Sequence, residues 1–125
     1  MDEFAETHAL SRETDLPARQ KLLGDLFTAH RPRLRRMVEL RLDPRVRQRL
    51  DPSDVVQETY LEVARRLEQY LARPVLPLFI WLRRIAAQKV LALHRHHLGV
   101  RARDPRRELS IDGEQVPEAT SVALA

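Results

Sequence analysis

Apolar residues recur every three or four positions along most of the chain up to His97. That spacing lays one face of an α-helix against a core. Between Ala18 and His30 the period is set by Leu22, Leu23, Leu26 and Phe27, and Pro17 suits the first turn of that helix. Pro32 interrupts the run, and the pattern predicts that it kinks this helix or begins another. Leu34, Met37, Val38 and Leu42 carry the stripe onward. Asp43-Pro44 and Asp51-Pro52 each set a capping carboxylate before a proline, a favourable helix start. They predict a short helix over 45–50 and a longer one over 51–71. The stretch Arg73-Pro74-Val75-Leu76-Pro77 holds two prolines and predicts a loop. The last long helix is predicted over 78–97, with Gly99 as its stop. Residues 1–17 read as a polar lead, and 99–125 as an acidic linker or tail. The expected fold is all-α, with its helical domain over 18–98.

At about 100° per residue, the helix from Asp51 has two unlike sides. Val56, Thr59, Tyr60, Val63, Leu67 and Tyr70 form the expected core stripe. Asp54, Gln57, Glu58, Leu61, Arg65 and Glu68 fall opposite. Charges on such a side are usually a solvated face. A leucine set among them also fits a protein-binding surface, where an apolar centre has a polar rim. In the helix from Leu78, the expected core stripe is Phe79, Leu82, Ala86, Val90 and Leu93, with Trp81, Arg84, Gln88 and Arg95 opposite. An exposed tryptophan beside arginines suits an unpaired nucleic acid, because the ring stacks on a base and the arginines hold phosphates. Gln88 can pair with a base edge. Alternatively, Trp81 packs with Leu78, Ile85 and Ala92 as a second buried arc, the reading that pattern alone favours.

Charge sharpens this picture. The net charge is +4, but it is unevenly spread. Residues 1–18 carry −4, 19–50 carry +7, 51–70 carry −3, 71–107 carry +8 and 108–125 carry −4. An acidic helix therefore sits between two basic segments, which suits one surface for a basic protein and another for a polyanion. Only Lys21 and Lys89 among the basic residues are lysine. Arginine suits phosphate and base-edge recognition, although a high-GC genome produces the same bias. The chain has no cysteine, which removes disulfides and thiolate chemistry. It has no secretory leader pattern and no apolar run long enough for a membrane span.

His94 and His97 lie three apart, as a shared metal ion would need, but no third ligand is evident and we expect no metal. Neither a Gly-rich phosphate loop nor a nucleophile–base constellation is present, and we expect no cofactor and no catalysis.

Three segments carry a family resemblance. Asp54-Val55-Val56-Gln57-Glu58-Thr59-Tyr60-Leu61 resembles the D-L-V-Q-E-T-F-L polymerase-binding signature of extracytoplasmic-function sigma factors. Trp81-Leu82-Arg83-Arg84-Ile85-Ala86 resembles the same family's W-L-[FY]-R-I-A, at the expected distance downstream. Pro32-Arg33-Leu34-Arg35-Arg36 is similar to its first conserved helix. The likeness spans about residues 20–97. It departs at Ala87-Gln88, where the family often has Arg-Asn, and at the longer, more basic stretch 42–50.

The resemblance implies a compact helical bundle of three to five helices, of the sigma-factor region-two type. It implies a cytoplasmic transcription initiation domain that binds the RNA polymerase core at the clamp helices of the largest subunit. The polymerase contacts would be Asp54, Gln57, Glu58, Leu61 and Arg65. Arg73, Trp81, Arg83, Arg84, Gln88, Lys89, His94 and Arg95 would meet the melted non-template strand of promoter DNA at the −10 element. An anti-sigma protein would cover these surfaces in the inactive state. The family's second, −35-binding domain is not supplied by residues 98–125, so the chain is expected to be a fragment that ends in an interdomain linker, or else a truncated relative. The alternative function is a stand-alone helical regulator that reads duplex DNA. A third reading is a protein-interaction module whose arginines serve only solubility.

Overall fold

The structure is a computed structural model, and it describes residues 2–99. The linker or tail expected beyond Gly99 lies outside the described residues. Among the described residues five helices follow one another: α1 (Ala5–Arg12), α2 (Leu16–Arg41), α3 (Pro44–Arg47), α4 (Pro52–Ala72) and α5 (Leu78–His97). The fold is all-α, as the periodicity predicts.

Capping explains where α2, α3 and α4 begin. Asp15 accepts from the Ala18 amide at 3.1 Å, Asp43 from Arg45 at 2.8 Å and Asp51 from Ser53 at 2.8 Å. A proline follows each cap within two residues, where its missing N–H costs nothing. The loop over 73–77 is the predicted double-proline stretch, and Pro77 stands at the start of α5. Helix α5 ends at His97 with Leu98 as its C-cap, just before Gly99, and no described glycine has a positive φ.

Pro32 neither ends α2 nor begins a new helix, and the helix runs through it for 26 residues. The reason lies in the buried face. Leu23, Phe27, His30, Leu34 and Val38 keep one unbroken helical period across the proline. Pro32 itself is exposed, so packing on both sides outweighs the lost hydrogen bond.

Helices α2, α4 and α5 each pack against the other two and enclose the core. Arg19 reaches Glu68 at one end of the α2–α4 pair, and Arg35 reaches Asp51 at the other, so these helices run antiparallel. Leu34, Val38, Val56, Val63, Leu82 and Ala86 are fully buried at the centre. Thr59, also buried, donates its hydroxyl to the Val55 carbonyl at 2.8 Å, so it leaves no orphan polar group. Helix α3 rests on α5 through Val46.

The amino-terminal segment differs from the expected polar lead. Residues 5–12 form α1, which packs on α2 and α4 with Thr7 and Leu10 fully buried. Its far end is tied by Arg19, whose Nε donates to the carbonyls of Leu10 (3.1 Å) and Glu13 (3.0 Å). Two buried positions in eight residues are too few to register as a hydrophobic period. Among the described residues, no helix is long and apolar enough to cross a membrane.

Candidate functional site

Two features on α4 and α5 stand out: an exposed polar face, and a cavity where the helices are joined.

The face belongs to α4. Val55, Val56, Thr59, Val63 and Leu67 turn inward, and Asp54, Gln57, Glu58, Leu61 and Arg65 all turn outward. Leu61 stays 43% exposed at the centre of that stripe. Its flank is held by Glu62, which accepts from Arg65, from Arg66 Nε at 2.6 Å and from Lys89 Nζ at 3.5 Å. The Arg65 hydrogen bond, with Arg66 adding to it, holds the Glu62 carboxyl below its ordinary range against the opposing effect of desolvation. Arg65 is thus oriented by its own helix, with its side chain two-thirds exposed. The five side chains named from sequence form one continuous surface with an apolar centre, two acids, an amide and a base.

The eight residues expected to contact DNA do not form one surface. Arg84 and Gln88 are exposed and Arg95 half-exposed along one stripe of α5. Arg83 turns towards Arg33 and Arg41 of α2, and its guanidinium lies 5.8 Å from the ring centre of Phe79 on its own helix. Burial first, and the neighbouring Arg33 charge second, push the Arg83 pKa down. Lys89 turns to α4 and Glu62.

His94 has a structural task. Its Nε2 accepts from the Asp43 backbone amide at 3.0 Å, joining the end of α5 to the start of α3. An imidazole used as an acceptor must be neutral there, so a phosphate contact through this nitrogen is ruled out. Burial, with Arg45 adding to it, lowers the His94 pKa from its ordinary 6.5, while Asp43 opposes the shift. The unfolded chain therefore takes up a proton near pH 6.5 and the folded chain only at lower pH. Stability is fully present above that value and falls as pH drops below it. The urea midpoint should decline from about pH 7 to about pH 5, and His94→Gln should flatten the decline. A wild-type profile that rises towards acid would reverse the assignment. Among the described residues, no group of three or more His, Cys, Asp or Glu side chains is arranged to hold a metal ion.

Trp81 corrects the expectation of an exposed platform. Its side chain is 9% exposed, and its ring lies flat on Tyr70, with centroids 4.0 Å apart and planes 3° apart. Leu78 and Ile85 are buried on the same side of α5, whereas Ala92 is exposed. The second arc of the helix is therefore real but stops short of Ala92. It exists because α5 packs on both α2 and α4.

The stacked pair forms part of a surface cavity of about 260 Å³, lined also by Arg66, Gln69, Arg73, Val75 and Leu76. Two guanidinium groups and an amide supply donors, and Val75 and Leu76 supply an apolar wall. The volume suits a single flat ring, since sites for drug-sized ligands begin at about 300 Å³. Burial pushes the Tyr70 phenol pKa up, a hydrogen bond from Thr7 opposes the shift, and the nearby Glu6 charge adds to it. Sequence reasoning named Arg73 and Trp81 here, the resemblance implied a DNA-facing loop over residues 70–77 that holds Val75 and Leu76, and both missed Arg66 and Gln69. Only the double proline hinted that the loop would fold back over the aromatic pair.

Compared with protein-family models, with curated proteins and with solved structures, the chain matches none of the three.

Proposed function

We propose that this chain is a transcription initiation domain of the sigma-factor type. In this reading it docks on the clamp helices of the RNA polymerase largest subunit through the outer face of α4. It holds an unpaired promoter base in the cavity between α4 and α5. The observation that carries the proposal is the division of the Asp54–Leu61 motif. Its polar members and Leu61 form one exposed stripe, while Val55, Val56 and Thr59 are core. A stripe of polar side chains around a half-exposed leucine has the anatomy of a partner-binding patch. No charge on it is buried, so the face holds the fold together only weakly.

The cavity supports the second half. An unstacked base needs an apolar slot, donors for its edge and cations for its phosphates. Val75 and Leu76, Gln69, and Arg66 with Arg73 supply these. Extrusion of a base costs a few kcal/mol, which contacts inside such a slot offset. Arg84, Gln88 and Arg95 on the outer stripe of α5 are then backbone and base-edge contacts beyond the pocket. Both surfaces are open to an anti-sigma partner in the free protein.

Glu58→Arg tests the polymerase half. The mutant should keep its helical signal and unfolding midpoint but bind an isolated clamp-helix fragment at least tenfold more weakly, because a charge reversal within an interface costs about 1.4 kcal/mol or more. Binding by wild type and loss in the folded mutant would support docking through this face. A folded wild type that ignores the clamp helices but binds duplex DNA would replace this reading with the stand-alone regulator, α5 then being the groove-reading helix.

A further inference from the structure

Helix α1 touches the cavity through a chain of hydrogen bonds. Tyr70 donates its phenolic proton to the Leu76 carbonyl at 2.5 Å, inside the loop that walls the cavity. The Thr7 hydroxyl lies 2.7 Å from the same phenolic oxygen. Tyr70 has one proton and spends it on Leu76, so Thr7 is the donor of this second bond. Both Thr7 and Tyr70 are buried, and the Tyr70 ring is the surface on which Trp81 lies. One hydroxyl on α1 thus fixes a phenol, the phenol fixes the loop backbone, and its ring fixes the indole.

A second tie holds α1 beside the start of α5. Arg33 has only donors to offer, so His30 accepts from it at Nδ1 (2.9 Å) and donates from Nε2 to Glu6 (2.8 Å). The imidazole packs on the Phe79 ring, with centroids 4.9 Å apart, and Arg33 lies 3.8 Å from the same ring centre. Glu6 and Thr7, adjacent in sequence, therefore grip the two sides of the α4–α5 junction.

We propose that α1 is a clasp that sets the shape of the cavity, with Thr7 as a positioning residue acting through Tyr70. The effect on ligand binding rests on the base-pocket reading above; the clasp itself can be read in the free protein. An isolated helix of this length is marginal in water, so α1 keeps its grip through these contacts and the burial of Leu10.

Trp81 is the only tryptophan in the chain, so its fluorescence reports on the cavity directly. Acrylamide quenching should be measured on the full chain for wild type, Thr7→Val, Thr7→Ser and Tyr70→Phe. Thr7→Val keeps the shape and removes the hydroxyl; Thr7→Ser keeps the hydroxyl. Thr7→Val and Tyr70→Phe should both quench more readily than wild type, and Thr7→Ser should stay near wild type. Affinity for a labelled single-stranded oligonucleotide should fall roughly two- to tenfold in Thr7→Val, the range set by one hydrogen bond in a buried network, and recover in Thr7→Ser. Val46→Ala, at the far end of the bundle, lowers stability and should leave quenching unchanged, which separates a local effect from general loosening. If Thr7→Val does not fold, Tyr70→Phe decides the same question. Wild-type quenching in the folded hydroxyl-free variants would overturn the clasp. If wild type binds no oligonucleotide, the base-pocket reading fails while the quenching comparison still decides the clasp.

Discussion

Trp81→Ala should lose about 3–5 kcal/mol of stability, the range for truncating a large aromatic in a packed core. A domain of this size has about 5–15 kcal/mol in total, so the mutant should unfold at far lower urea. Three contributions add. The ring is all but withdrawn from water at 9% exposure. Its flat stack on Tyr70 adds an aromatic pair worth about 0.5–1.5 kcal/mol beyond buried area. Its removal also leaves Tyr70 without the surface that holds the ring beneath the loop. Equilibrium urea unfolding followed by far-ultraviolet dichroism gives the number directly. Trp81→Phe should recover part of the loss. A Trp81→Ala protein with an unchanged midpoint and weakened single-strand binding would restore the exposed-platform reading.

The Trp81 result shows what the sequence could convey about this helix and what it could not. Periodicity placed α5 and, in its core stripe, half of its buried residues: Leu82, Ala86 and Val90. It could not say how wide the buried arc is, because that depends on how many neighbours a helix has. Phe79 and Leu93 are only half-buried, while Leu78, Trp81 and Ile85 are buried. Helix α4 was easier to read. It is amphipathic with one sharp boundary, so its six outer residues and its core could be sorted from spacing alone, apart from Pro52, Val55 and the half-exposed Tyr60, which meets Phe27 edge-on. The starts of α3 and α4 were legible because aspartate and proline act on their own neighbours, and that of α2 was marked by Pro17 alone, without its Asp15 cap. Contacts between distant segments were not. Nothing near His94 announces that it accepts from the Asp43 amide, and nothing near Thr7 announces Tyr70. The cavity is made of such long-range contacts, so only Arg73 and Trp81 among its lining residues were singled out as DNA contacts.

Leu10→Ala is expected to cost about 2–4 kcal/mol, towards the lower part of the range for a leucine truncated in a core. The side chain is completely buried against the bundle, and it is the largest apolar group that α1 contributes. The ceiling comes from the helix itself. Once the loss exceeds what docks α1, the helix leaves the bundle and the rest of the core no longer feels the cavity. Arg19 would then lose the Leu10 and Glu13 carbonyls it now holds, and Thr7 would lose Tyr70. Two measurements separate a cavity from undocking. A cavity shifts the urea midpoint and leaves Trp81 shielded from acrylamide. Undocking also exposes Trp81 and opens the connection between α1 and α2 to protease. We expect undocking, since Leu10 is the main apolar anchor of an eight-residue helix that cannot persist alone. A Leu10→Ala protein with the wild-type midpoint would mean that residues 5–12 add nothing to the bundle. The clasp would then have no mechanical basis, because a helix that does not hold itself in place cannot hold Tyr70.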